Sequence, residues 1–109
     1  MKSRSAKNKG VRLQNATRDA ILARFPELER DDVRTATMGA PGEDILLSPA
    51  ARRLVPFSIE CKNQERLNIW AALAQAEQGA FSPAVVFKRN RSKTYVALEL
   101  DALLNLLGK

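Results

Sequence analysis

Three residues have the types and spacing to do chemistry together: Asp44, Glu60 and Lys62. Asp44 follows Pro41-Gly42-Glu43 and opens an apolar run, Ile45-Leu46-Leu47. Glu60 and Lys62 lie in Phe57-Ser58-Ile59-Glu60-Cys61-Lys62-Asn63. Both stretches read as strands, and side chains alternate faces along a strand. Phe57, Ile59 and Cys61 then share an apolar face, and Glu60 and Lys62 share the other. Two carboxylates brought side by side can hold a hard divalent cation through oxygen. A lysine beside such a cation can orient water. This is the equipment for metal-assisted hydrolysis of a phosphodiester. The bland alternative is a surface ion pair with an acid at a strand end, which contributes little.

Composition narrows the field. The chain has 109 residues, enough for one domain with one core. It carries a formal net charge of +6, which favours a polyanion as partner, though many basic proteins bind nothing acidic. It has no histidine, which removes Ser-His and Cys-His catalysis and histidine zinc sites. Its one cysteine, Cys61, excludes an internal disulfide and suits a reducing compartment. No signal peptide or membrane-length apolar run is evident, so a cytoplasmic location is expected.

The elements that must position these residues can be read in order. Residues 1–9, with Lys2, Arg4, Lys7 and Lys9 and no acid, read as a flexible basic arm, either lying along phosphates or simply solvated. Residues 10–109 read as a single domain. Val11 to Phe25 is predicted as a helix ended by Pro26, with Gly10 before it. Arg12 and Arg18 read as exposed helix charges that could take phosphate. Val33–Thr37 reads as a strand. The Thr37 hydroxyl could contact phosphate, although strand filler is the simpler reading. Ser48–Leu54 connects two strands, with Arg52 and Arg53 expected to face solvent. Leu67–Gly79 is predicted as a helix with Ile69, Leu73 and Ala76 in line, and Trp70 is expected to pack. Pro83–Lys88 and Thr94–Leu98 read as a hairpin. Its turn gathers Lys88, Arg89, Arg91 and Lys93, a cluster that duplex DNA rewards by counterion release. Glu99–Leu107 closes the chain with a stripe of Leu100, Leu103, Leu104 and Leu107, read first as core packing and second as a dimer surface.

Asp44 followed by Glu60-Cys61-Lys62 resembles the PD-(D/E)xK nuclease signature. The order of elements around it is similar to that of the archaeal Holliday-junction resolvases. Met38-Gly39-Ala40, Gly42-Glu43-Asp44, Ser48-Pro49-Ala50-Ala51-Arg52, Pro56 through Asn63 and Ile69-Trp70 look like small PD-(D/E)xK endonucleases encoded by bacteriophages. This resemblance covers nearly the whole chain. It implies an α/β, restriction-endonuclease-like domain whose central mixed sheet of about five strands is flanked by helices. It implies a metal-dependent DNA endonuclease with Asp44, Glu60 and Lys62 catalytic. Mg2+, or alternatively Mn2+, would be held by Asp44, Glu60 and the backbone carbonyl of Cys61. In the archaeal resolvases the first helix carries a glutamate that helps hold metal; here Gln14 stands in that region, with an oxygen but no charge. In several PD-(D/E)xK groups a glutamine after the Glu-x-Lys strand touches the site or DNA, which points to Gln75. Lys7, Lys9, Arg12, Thr37, Gln75, Arg89, Arg91 and Lys93 are the expected DNA contacts. The resolvase likeness further implies a homodimer with junction selectivity. A general or nicking endonuclease, and a non-catalytic DNA-binding protein with a nuclease fold, are the competing readings. An RNA-binding module ranks last, because paired exposed aromatics are lacking.

Overall fold

The first helix, α1, spans Arg4–Arg24 in the computed structural model, which describes residues 4–108. It begins well before Val11. Arginine, alanine and lysine are good helix formers, so Arg4–Lys9, expected as a flexible arm, form its first turns; Lys2 lies outside the described residues. Gly10 sits inside the helix rather than before it. A Cβ there would come within 2.7 Å of the Met38 side chain, so the glycine permits a close approach of that loop. Leu13 and Gln14 form the buried face. The helix stops just before Phe25-Pro26, where the proline disfavours helical backbone in the residue ahead of it.

Five strands follow. β1 (Val33–Thr35) and β2 (Ile45–Leu47) pair antiparallel, Val33 opposite Leu47 and Thr35 opposite Ile45. α2 (Pro49–Leu54) starts with proline in its first turn, and the Ser48 hydroxyl accepts a hydrogen bond from Ala51 N–H (3.1 Å). β3 (Phe57–Asn63) runs parallel to β4 (Ser82–Lys88), an arrangement that requires the crossover supplied by α3 (Ile69–Ala76). β5 (Tyr95–Leu98) returns antiparallel to β4, and α4 (Leu100–Leu107) follows.

The α/β class is as expected, but the strands form two ladders, β1-β2 and β3-β4-β5, rather than one continuous sheet. The chain between β1 and β2 turns at Gly39 (φ 87°) and Gly42 (φ 98°), left-handed conformations suited to glycine. The two ladders meet where Asp44 N–H donates to the Ile59 carbonyl (3.0 Å).

β3 and β4 are covered on both faces, so each carries four consecutive buried residues, Ser58–Cys61 and Pro83–Val86. On the α1 face Leu13, Val33, Ile45, Ala51, Ile59, Cys61, Ala84 and Val86 form the main core. On the α3 face Ala72, Ala76 and Val85 pack together. Trp70 does not pack as expected: it is 79 % exposed. Two residues along a helix is about 200° of rotation, which puts Trp70 opposite the buried Ala72. The α4 stripe does not join the core either, and none of its residues is buried.

Candidate active site

Asp44 is fixed from three directions. Its carbonyl accepts from Ala36 N–H (2.9 Å), its N–H donates to Ile59, and its side-chain Oδ2 accepts from Cys61 N–H (2.7 Å). The carboxylate is thereby clamped against β3 between Glu60 and Lys62. Alternation along β3 sends Glu60 to the α3 face with Ser58, where it is 4 % exposed. Its Oε2 is buried with no hydrogen-bond partner. Burial first, then the charge of Asp44 and a hydrogen bond with that carboxyl, push Glu60 up to about 8, with Lys62 pulling the other way. Burial likewise pushes the Cys61 thiol up to about 12, so the thiol is a core group rather than a nucleophile.

A cleft of about 750 Å³ opens over these groups. Asp44, Glu60, Cys61 and Lys62 line it, together with Gln14 and Lys7 from α1 and Gln75 from α3. Gln14 is itself buried, although it is an amide on a helix. Two adjacent carboxylates, one with an unpartnered buried oxygen, form a donor set that fits a hard cation, which would replace the proton Glu60 otherwise retains. Among the described residues no group of three or more His, Cys, Asp or Glu side chains is arranged to hold a metal ion. Further oxygens would come from neutral groups, the Gln14 amide and the Cys61 carbonyl being the ones at hand.

The other sequence-derived contacts fall at different distances from the cleft. On α1, Lys9 is half-buried and Arg12 exposed, and Thr37 is exposed on the loop after β1; none of the three lines the cleft. Arg89, Arg91 and Lys93 occupy the β4–β5 turn, outside the cleft but at the same end of the sheet. Lys62 and Asn63 pair in register with Phe87 and Lys88, just before that turn. The turn is built tightly, with Arg91 at φ 63°, the Ser92 hydroxyl accepting from Arg89 N–H (3.0 Å), and Glu65 accepting from Asn90 N–H.

Sequence reasoning assigned no role to two features of this region. Asn63 lines the cleft; its Nδ2 donates to the Lys9 carbonyl (3.2 Å), and its Oδ1 is buried without a partner. Its position directly after Glu60-Cys61-Lys62 is the signal that marks it. The second feature is a polar network behind Asp44. Glu43 points away from the cleft, as alternation implies, and pairs with Arg52 (2.6 Å). Ser58 donates to the other Glu43 oxygen (2.9 Å). Arg52 also donates to the Phe57 carbonyl (2.6 Å) and lies 4.2 Å over the Phe81 ring. Arg52 is therefore not solvent-facing as expected, because Glu43 gives its guanidinium a partner under the sheet. Arg53 is exposed. Gly79 abuts the network, and a Cβ there would overlap the Ser58 hydroxyl. Gly79→Ala is expected to cost about 1–3 kcal/mol of stability in urea unfolding, by pushing Ser58 off Glu43.

The family model described as "Phage putative PDDEXK endonuclease" matches residues 5–109. No curated protein and no solved structure gives a match. The match runs from the start of α1 through α4 and includes Asp44, Glu60 and Lys62. The chain belongs to the phage PDDEXK endonuclease family.

Proposed function

We propose that the protein is a divalent-metal-dependent DNA endonuclease, with Mg2+ as the working ion and branched DNA as the favoured substrate. The observation that carries this reading is the Glu60 carboxyl, buried beside Asp44 in an open cleft with one oxygen unpartnered, in a chain of a nuclease family. Asp44 and Glu60 would hold the ion, with the Gln14 amide and the Cys61 carbonyl as neutral oxygen donors. When bound, such an ion supplies Lewis acidity toward the scissile phosphate and makes a water easier to deprotonate. Lys62 orients the attacking water and offsets the charge that builds on the phosphoryl oxygens. Lys7 and Gln75, on the cleft wall, take the flanking backbone. Lys9, Arg12 and Thr37 extend that track, and Arg89, Arg91 and Lys93 receive phosphates farther along.

The test is cleavage of a labelled four-way junction, a matched linear duplex and a single strand, with Mg2+ or EDTA, by the wild type and Glu60→Ala. Paired, metal-dependent cuts in the junction are expected, and they should be lost in Glu60→Ala. Cutting of all three substrates would leave an endonuclease without junction selectivity. Binding without cutting in Mg2+ and in Mn2+ would favour the non-catalytic reading, for which the uncharged Gln14 in the cleft is the supporting feature.

The basic turn gives a separate prediction. Replacing Arg89, Arg91 and Lys93 together by Gln should weaken binding to all DNA sequences alike. The slope of log K against log salt should become shallower by roughly 0.9 for each phosphate that the turn no longer neutralises. An unchanged slope in a fluorescence-anisotropy titration would remove the turn from the DNA track.

A further inference from the structure

Among the described residues two apolar surfaces have no partner, and they match each other. The first is α4. Leu100, Leu103, Leu104 and Leu107 stand along one side of an eight-residue helix and are 41–71 % exposed. The second is a groove of about 520 Å³ between α1 and the β5 side of the β3-β4-β5 sheet, walled by Ala16, Ala20 and Ile21 on one side and Val86, Val96 and Leu98 on the other. Exposed apolar surfaces of this kind mark interaction sites.

The helix does not close the groove of its own chain. α4 follows β5 across a single residue, Glu99, in extended conformation (φ −63°, ψ 142°). Laying a helix back over the strand it has just left requires a loop, ordinarily of two to six residues in such units. β5 itself supplies the groove residues Val96 and Leu98, so the one-residue connection holds α4 off that face.

A second copy has the matching shape and charge. Eight helical residues span about 12 Å, and the groove follows α1 from Leu13 to Arg24, about 16 Å. The small side chains Ala16 and Ala20 allow a helix to approach closely. The charges carried by α4 and its cap are acidic, Glu99 and Asp101; the charged residue lining the groove is Arg24. We propose that the protein is a twofold dimer in which each copy lays the leucine stripe of α4 into the α1–sheet groove of the other. One symmetric exchange covers both surfaces on both copies and leaves no open repeat. This inference does not depend on nuclease activity.

Multi-angle light scattering of the full chain at micromolar concentration should give the mass of a dimer. Leu103→Glu/Leu107→Glu, on the helix, and Ala20→Trp, in the groove, should each give a folded monomer, with folding checked by circular dichroism. Pairing Leu104→Cys with Ala20→Cys should yield a disulfide-linked dimer on oxidation. Each of those changes alone should not, because Cys61 is buried. A wild-type monomer, a dimer unaffected by both sets of changes, or a disulfide formed within one chain would each overturn the proposal.

Discussion

Glu60→Gln is expected to abolish cleavage and to stabilise the protein. The activity loss should reach roughly a thousandfold, the scale of removing one preorganised electrostatic group from a site of this kind. The gain in stability comes from the same residue. Glu60 is buried beside Asp44 with an oxygen that nothing satisfies, and its carboxyl is raised from 4.5 to about 8. A folded-state pKa above the unfolded one means that the metal-free folded protein holds a proton which the unfolded chain has already released. The contribution of Glu60 to stability is therefore fully present below about pH 4.5 and is lost as pH rises through 8. An amide at this position carries no charge to bury, and its NH2 can donate to Asp44. Glu60→Gln should remove this part of the pH dependence and gain about 1–3 kcal/mol at pH 8, the scale of relieving an unsatisfied buried group. Urea titrations of both proteins in EDTA, at pH 5 and pH 8, measure this. A variant less stable than wild type at pH 8 would contradict the account. Mg2+ should stabilise the wild type and leave Glu60→Gln nearly unmoved.

Arg52→Ala should be the most damaging change outside the cleft. Its guanidinium satisfies Glu43 and the Phe57 carbonyl and covers the Phe81 ring. Removing it leaves a largely buried carboxylate with Ser58 as its remaining partner. The loss of a charge-assisted bond in such a place is worth about 1.5–3 kcal/mol. Glu43 is bonded to Asp44 along the chain, so a Glu43 that swings toward water shifts the residue proposed to hold metal. Cleavage should fall about 10–100-fold, as when a group supporting a metal ligand is removed. Raising the Mg2+ concentration should recover part of that rate, whereas it should recover none in Glu60→Gln. Arg52→Lys keeps the charge but not the fork that reaches Phe57 and Glu43 together, so it should rescue only in part. Full activity in Arg52→Ala at low Mg2+ would show that Glu43 does not hold Asp44 in place.

The central grouping was legible because it rests on local rules. Alternation along β3 sets Ile59 and Cys61 against Glu60, and the turn at Gly39–Gly42 brings Asp44 to the strand. The Glu43–Arg52–Ser58 network was not legible. Its members are separated in sequence, and their meeting depends on how α2 lies under the sheet. Trp70 and the α4 leucines show another limit. Periodicity reveals that a helix has an apolar side, but not whether anything in the same chain covers it. The basic start of the chain misled for a related reason. Charge density there suggested a solvated arm, but lysine, arginine and alanine also favour helix, and Gly10 lets that helix lie against Met38.

Because Lys7 stands on α1, and Asn63 grips the Lys9 carbonyl close by on the same helix, the proposed DNA track would meet its ligand with a stiff lever instead of a tether. Ordering of that segment belongs to folding, so none of it is left to oppose association. Encounter with a polyanion should then carry little of the heat-capacity change that accompanies coupled folding. The Asn63–Lys9 hydrogen bond also ties the helix that carries Lys7 to the end of the strand that bears Glu60 and Lys62.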